Sequence, residues 1–145
     1  MVDSRELSHS EHIARYCKPT SLTEDKLPTW SSFCLRSGEL SLSVNWLEFL
    51  DPNNRDTAIE KLRQIFTKKF TGGVSANAKL AVLNVGETIT HVSNENGRLL
   101  KVFQEPLDND PSHCGIHNLP ATEEEAMLIG MLIAEKVCEL YSARS

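Results

Sequence analysis

The sequence predicts an α+β fold, a mostly antiparallel sheet of about five strands with two main helices packed on it. Two patterns support this prediction. Residues 39–49 alternate apolar and polar side chains, which is the period of a strand with one buried face. Residues 58–70 instead repeat apolar side chains every three or four positions, as an amphipathic helix does. No repeat or linker divides the 145 residues, so we predict one domain over residues 1–145.

The first part of the chain is predicted to hold short strands. Residues 1–11 are polar and are expected to be frayed. Residues 12–17 fit either a strand or a helical turn. Residues 30–36 are predicted to form a strand that ends at the turn-forming pair Ser37-Gly38 and pairs as a hairpin with residues 39–49.

The first main helix is predicted between Asp51 and Gly72. Asp51 is the expected N-cap, and Pro52 suits the first helical position. The apolar stripe follows, and Gly72-Gly73 is expected to end the helix.

The next segment is rich in residues that favour strands. Residues 79–93 are predicted to form two strands joined near Gly86, because apolar side chains alternate there. Asn96-Gly97 is a strong hairpin signal. Residues 99–105 are therefore expected to be the returning strand.

The last element is predicted to be a helix that starts at Thr122. Thr122 and Glu125 have the spacing of a capping box. The apolar residues after them surround almost the whole first half of the helix, more than a one-sided surface helix needs. We therefore expect the helix to be sandwiched in the fold or to contact a protein partner or a second copy of the chain.

Composition excludes several classes of function. The net charge of −5 and the acidic isoelectric point argue against a nucleic-acid partner, which attracts basic surfaces. The chain contains no apolar run of the ~20 residues that a membrane helix needs. Because the N-terminus lacks a secretory signal, a cytoplasmic location is expected. The four cysteines are then expected to be free thiols, and no cofactor is predicted.

The segment of residues 108–120 carries most of the candidate reactive groups. His113 beside Asp110 has the composition of a general base oriented by a carboxylate. Ser112 or Cys114 would then be a nearby nucleophile. His117 is a further candidate ligand-binding residue.

Two other interpretations of this segment remain open. Residues 113–117 contain a Cys-x-x-His spacing that occurs in zinc sites, although no second ligand pair stands at a matching spacing. Alternatively the segment is a structural loop, because Asp110-Pro111-Ser112 is favourable turn chemistry. Elsewhere, the polar row of Ser41, Ser43 and Asn45 lies on one face of a strand and would line either a cleft or the wet side of the sheet.

Three segments together resemble a group of small bacterial proteins that have no assigned function: HIARYCKP (12–19), LSVNWLEF (42–49) and DPSHCGIHNLP (110–120). The resemblance implies a bacterial, cytosolic, single-domain protein. It also implies a shared surface, on the following residues: Arg15, Asn45, Trp46, Asp110 and His113.

The sequence thus leads to two function hypotheses. The first is a protein that acts through binding, as an accessory or interaction component of a larger bacterial system. The alternative is a small hydrolase or transferase in which His113 and Asp110 carry the chemistry and Arg15 holds an anionic substrate. The alternative requires Arg15 and His113 to meet in one cleft.

Overall fold

The computed structural model describes residues 5–145, which form six strands and four α-helices. In chain order these are β1 (His12–Cys17), β2 (Leu42–Trp46), α1 (Leu47–Leu50), α2 (Arg55–Lys69), β3 (Lys79–Asn84), α3 (Val85–Asn96), β4 (Lys101–Gln104), β5 (His113–His117), α4 (Glu123–Ala134) and β6 (Glu139–Ser142). The α+β prediction is confirmed, with one strand and one long helix more than expected.

All six strands belong to one antiparallel sheet with the order β4-β5-β2-β1-β3-β6. β1 pairs with β3 along its full length, from His12 opposite Asn84 to Cys17 opposite Lys79. Its pairing with β2 is much shorter and comprises only Ile13 with Trp46 and Ala14 with Asn45. β1 and β2 are therefore paired near the N-terminal end of β1 and diverge towards its C-terminal end.

A separate apolar core lies on each face of the sheet. On one face, α2 contributes Ala58, Ile59 and Leu62, which pack with Leu80 and Val82 of β3. On the other face, α3 and α4 cover the opposite side chains of the strands, and the members of that core include the following: Ile13, Val44, Leu83, Val92, Ile129 and Ile133. The fold thus has three layers. None of the helices in residues 5–145 is long and apolar enough to cross a membrane.

The helix α2 forms as predicted, but its first turn is capped differently. Asn54 is the N-cap, and its side-chain oxygen accepts from the Thr57 amide at 3.0 Å. Asp51 lies one turn earlier and accepts from the amides of Asn53 and Asn54. Lys68 and Lys69 end the helix, where positive charge suits the helix dipole.

Two predicted strands are helical in the structure. The segment after β3 forms α3, because Asn84 accepts from the Glu87 amide and caps a helix start. Gly97 then ends α3 with φ at 84°, so the Asn-Gly pair is a helix C-cap and no hairpin turn forms there. The segment 30–36 is a 3-10 turn at Trp30–Phe33, which contacts α4.

Two further elements were not predicted as strands. β5 lies within the segment 108–120, between β2 and β4 in the sheet. β6 lies in what was predicted as the second half of the last helix, since α4 already ends at Ala134. Thr122 is confirmed at the N-cap position of α4, but the predicted capping box does not form, because its hydroxyl donates to Glu125 Oε1 at 3.2 Å and accepts from no backbone amide of the helix.

The N-terminal segment contributes to the sheet. The Leu7 amide donates to the Val102 carbonyl, and the Gln104 amide donates to the Arg5 carbonyl. Residues 5–7, expected to be frayed, therefore cover the edge of β4, and the side chain of Leu7 is buried. Residues 1–4 of the segment predicted as frayed lie outside the described residues.

Candidate active site

Arg15 occupies the gap where β2 diverges from β1. Its Nε donates to the Ser32 carbonyl at 2.8 Å, and its Nη1 donates to the Ser43 carbonyl at 2.9 Å. The guanidinium thereby replaces ladder hydrogen bonds that β1 and β2 no longer make. Arg15 has a structural role of joining β2 to the 3-10 turn at residues 30–33.

The guanidinium also has donors to spare. Arginine carries five N–H donors, and the bonds to Ser32 and Ser43 use two of them. Burial lowers the pKa of Arg15 from its ordinary value, but an arginine stays charged in proteins. No carboxylate in residues 5–145 lies within ion-pair distance of it, although Glu39 favours its charged form from farther away.

A cavity of about 230 Å³ opens beside Arg15 on the sheet face that α2 covers in part. It is lined by side chains from β1, β2, β5, α2 and the segment before β2: Arg15, Tyr16, Arg36, Glu39, Ser43, Asn45, Phe66, Lys69, Phe70 and His113. We call it the Arg15 pocket. A second cavity, of about 220 Å³, shares Arg15, Tyr16 and Arg36 and adds Lys18.

One wall of the Arg15 pocket is aromatic. Phe66 of α2 and Phe70, the C-cap residue that follows α2, stack with their ring centroids 4.9 Å apart. Tyr16 meets both of them edge to face, at 5.6 and 5.0 Å. Its hydroxyl accepts from the Ser75 amide, which holds the ring in place. Tyr16 and Phe70 are partly exposed and Phe66 is 4% exposed, so the pocket combines cationic donors with an aromatic lining.

Asp110 is fully buried at the edge of the pocket, and both of its carboxylate oxygens bond to neighbouring side chains. Its Oδ2 pairs with Lys69 Nζ at 2.9 Å, and its Oδ1 accepts from Asn45 Nδ2 at 2.7 Å. Asn45 Nδ2 also donates to Ser112 Oγ, which donates onward to Asp110. Because Lys69 is paired with Asp110, Arg15 and Arg36 provide the remaining positive charge of the pocket. Glu39 is the acidic residue in its lining.

His113 is oriented by a main-chain carbonyl, not by Asp110 as expected. Its Nδ1 lies 2.8 Å from the Glu105 carbonyl oxygen, and its Nε2 lies 3.1 Å from Ser43 Oγ. A carbonyl only accepts, so Nδ1 carries the proton in the neutral ring. Nε2 is then free to accept from the Ser43 hydroxyl. Ser43 is solvent-exposed in the pocket.

The two nucleophiles suggested for residues 108–120 do not fit that role. Ser112 is 1% exposed and is held in the Asp110 network. Cys114 is buried in the core on the other face of the sheet. Burial there, with the nearby charges of Glu105 and Asp110, raises the pKa of the Cys114 thiol to about 12, so the reactive thiolate is scarce near neutral pH.

The zinc interpretation fails for a related reason. Residues 113–117 form a strand, in which successive side chains point to opposite faces. His113 and His117 therefore share one face, and Cys114 lies on the other. Among the residues that the structure describes, no group of three or more His, Cys, Asp or Glu side chains is arranged to hold a metal ion.

His117 belongs to a separate polar cluster outside the Arg15 pocket. Its Nε2 lies 2.6 Å from Glu105 Oε2, and Glu105 Oε1 accepts from Ser41 Oγ at 3.0 Å. Glu105 reaches across β5 at Gly115, where a Cβ atom would collide with its carboxylate and lie 2.6 Å from Ser41 Oγ. Gly115 thus permits the approach that places Glu105 beside both residues.

Trp46 also lies away from the pocket. It pairs with Ile13, and its side chain packs against the core under α3 and α4. Its ring centroid lies 5.6 Å from that of Phe49. Of the residues expected to share a surface, Arg15, Asn45 and His113 meet in the pocket, Asp110 supports it, and Trp46 does not reach it.

The sequence assigns no role in the site to Arg36, Lys69 or the Glu105 carbonyl. Ser43 is indicated only as part of the row of Ser41, Ser43 and Asn45, which fits a cleft and a solvated strand face equally well. Lys69 was explained by its position at a helix C-terminus.

No protein-family model, no curated protein and no solved structure matches the chain. The site is therefore interpreted from its own geometry and chemistry.

Proposed function

We propose that this protein acts through binding, and that its ligand is a small molecule with an anionic group and a flat apolar body. The observation that carries the proposal is the Arg15 guanidinium, which is partly buried, lacks a carboxylate partner in residues 5–145 and has unused donors beside two cavities. A phosphate or carboxylate supplies the missing negative charge and accepts such donors in a planar, charge-assisted arrangement.

The rest of the pocket favours the same ligand class. Arg36 and the exposed Ser43 offer further polar contacts to the anionic group. The aromatic wall of Tyr16, Phe66 and Phe70 suits an aromatic or other flat body, because ligand pockets commonly pair an apolar lining with a few placed polar groups. The four cysteines are free thiols, which fits a reducing compartment, and we include a cytoplasmic location in a bacterial cell in the proposal.

Binding of phenylphosphonate tests this proposal, because that compound carries both chemical features and its P–C bond resists hydrolysis. Isothermal titration calorimetry is expected to show saturable binding that weakens as salt is added. Arg15→Gln should weaken binding about 10-fold or more, since a hydrogen bond to a charged group contributes about 1.5–3 kcal/mol. Arg15→Lys, which keeps the charge and loses the fork of donors, should fall between Arg15→Gln and the unmodified protein.

Arg98→Gln is the matched control, because Arg98 donates to the Asn118 carbonyl and lines neither cavity. Urea unfolding of each variant separates loss of binding from loss of the structural bonds that Arg15 makes. The proposal fails if phenylphosphonate does not bind, or if Arg98→Gln weakens binding as much as a folded Arg15→Gln protein does.

A second binding function is favoured by the solvent-facing side of α4. Met127, Leu128 and Met131 are 40%, 49% and 51% exposed and form one stripe at helical spacing. We propose that this stripe contacts a second copy of the chain, since most soluble oligomers are homo-oligomers and two-fold dimers are the commonest of them. It corresponds to the partner contact that the apolar pattern of the helix predicts.

Sedimentation equilibrium over a range of concentrations tests the α4 contact. We expect a reversible dimer that Leu128→Glu or Met131→Glu converts to a monomer, because each change places a charge in an apolar interface. Leu40→Glu is the matched control, since Leu40 is 89% exposed and lies elsewhere. A monomer at all concentrations, or a dimer that persists in both α4 variants, would rule out this contact.

A further inference from the structure

The Arg15 pocket contains a nucleophile and a base in contact. The Ser43 hydroxyl lies 3.1 Å from His113 Nε2, and the opposite ring nitrogen lies 2.8 Å from the Glu105 carbonyl. An activated serine needs this arrangement, with a base within hydrogen-bond reach and a third group that orients the base. In the neutral ring the Glu105 carbonyl selects the tautomer in which Nε2 accepts the serine proton.

The surroundings of Ser43 select the type of group that it attacks. Arg15 Nη1 donates a hydrogen bond to the main-chain carbonyl of Ser43, so the guanidinium lies beside the residue that carries the nucleophile. Arg36 lines the same pocket. Positive groups placed in this way stabilise the charge on the equatorial oxygens of a transferring phosphoryl group.

The charge of the pocket favours a phosphate ester over an acyl substrate. Ser43 lies in β2 opposite Gly115 of β5, and its own carbonyl faces the gap towards β1, where Arg15 Nη1 donates to it. A tetrahedral acyl intermediate carries one oxyanion, which an oxyanion hole of backbone or side-chain donors stabilises. The guanidinium groups of Arg15 and Arg36 line the pocket beside Ser43 and match the greater negative charge of a phosphate ester.

We propose that Ser43 and His113 catalyse hydrolysis of an aryl phosphate monoester through a phosphoserine at residue 43. This inference rests on the proposed function, since the same pocket must first bind the anionic ligand. Arg15 holds the phosphoryl oxygens, and the aromatic wall of Tyr16, Phe66 and Phe70 holds the aryl group.

The reaction has two steps, and His113 carries the proton in both. In the first step a bond forms between Ser43 Oγ and phosphorus while the bond from phosphorus to the aryl oxygen breaks. The serine proton passes to His113 Nε2 and then to the departing aryl oxygen, which leaves as a phenol. In the second step a water oxygen bonds to phosphorus as the bond to Ser43 Oγ breaks. His113 takes a proton from that water and returns one to Ser43 Oγ, and inorganic phosphate is released.

Hydrolysis of p-nitrophenyl phosphate by the full chain tests the inference, with p-nitrophenyl acetate assayed in parallel. We expect turnover of the phosphate ester, and loss of at least about 100-fold in kcat in both Ser43→Ala and His113→Asn, as removal of a nucleophile or its base requires. Acid quenching during turnover should leave one phosphoryl group on the peptide that contains Ser43, detected by mass spectrometry.

Two matched controls remove the same side-chain types at neighbouring positions. Ser41→Ala changes the residue directly before β2, and His117→Asn changes the last residue of β5; both residues contact Glu105 and do not line the pocket. Both should keep the turnover of the unmodified protein. Phenylphosphonate should still bind to Ser43→Ala and His113→Asn, which shows that these variants fold and keep the pocket.

The outcomes separate the two proposals. If phenylphosphonate binds and p-nitrophenyl phosphate is not hydrolysed, the catalytic inference is wrong and the binding proposal stands. If phenylphosphonate does not bind, both fail. Turnover that persists in Ser43→Ala, or Ser43-dependent cleavage of p-nitrophenyl acetate alone, also overturns the catalytic inference.

Discussion

Lys69→Met is expected to lower the free energy of unfolding by about 3 kcal/mol or more, because it leaves a buried carboxylate without its cation. Asp110 is fully buried, whereas Lys69 is 22% exposed and reaches it from the end of α2. Asn45 and Ser112 continue to bond to Asp110 Oδ1 in the variant. They do not neutralise its charge, so the desolvation cost of the carboxylate remains. Urea unfolding followed by circular dichroism measures the change.

Lys68→Met provides the matched control for this prediction. Lys68 is the preceding residue of α2 and is exposed, so its replacement should change the unfolding free energy by no more than about 0.5 kcal/mol. The double variant Lys69→Met/Asp110→Asn should recover part of the loss, because it removes the unpaired charge and keeps the shape. Equal effects of Lys68→Met and Lys69→Met would show that the buried pair does not support the fold.

Phe33→Ala is expected to lower the free energy of unfolding by about 3–5 kcal/mol, the range for removing a buried aromatic ring. Phe33 is 0% exposed and ends the 3-10 turn that contacts α4. Its ring fills the core that α3 and α4 share with the sheet. The cavity left by alanine would have to be filled by movement of α4 towards the turn. Chemical denaturation of the purified variant gives the value.

Leu27→Ala is the control for Phe33→Ala, since Leu27 is 53% exposed on the segment that precedes the turn. Its loss should cost little, because it removes few contacts. A Phe33→Ala protein as stable as Leu27→Ala would mean that the turn does not anchor α4. Loss of heat stability in Phe33→Ala with unchanged phenylphosphonate binding would further show that this core and the Arg15 pocket are separate units of the fold.

The local patterns predicted the elements that have one clear period. β2 and α2 were found because each presents one apolar face. α3 was missed because its Val, Thr and Ile residues favour strands as well as helices, whereas the cap at Asn84 and the turn at Gly97 decide for a helix. β5 was missed because its alternation is short: only Cys114 and Ile116 are apolar between His113, Gly115 and His117, and turn-forming residues precede them. It becomes a strand through its pairing with β2 and β4 on either side.

The sequence predicted several residues of the candidate site but not which of them contact one another. Arg15, Asn45 and His113 were identified as a possible shared surface, and they do meet in one pocket. Asp110 was assigned to His113 because the two are neighbours in sequence. In the structure Asp110 instead forms an ion pair with Lys69, and His113 contacts the Ser43 hydroxyl. Neighbouring residues on a turn and a strand point in different directions, so proximity in sequence does not establish contact.

The sequence by itself determined the α+β class and the apolar faces of β2 and α2, because the period of apolar residues is a local property of the chain. Only the tertiary structure decided which polar groups act together. Ser43 and His113 are 70 positions apart, Arg15 and Ser43 are 28 apart, and Lys69 and Asp110 are 41 apart. These pairs depend on sheet order and on the divergence of β2 from β1. Both arise from packing against α2, α3 and α4, which no single segment encodes.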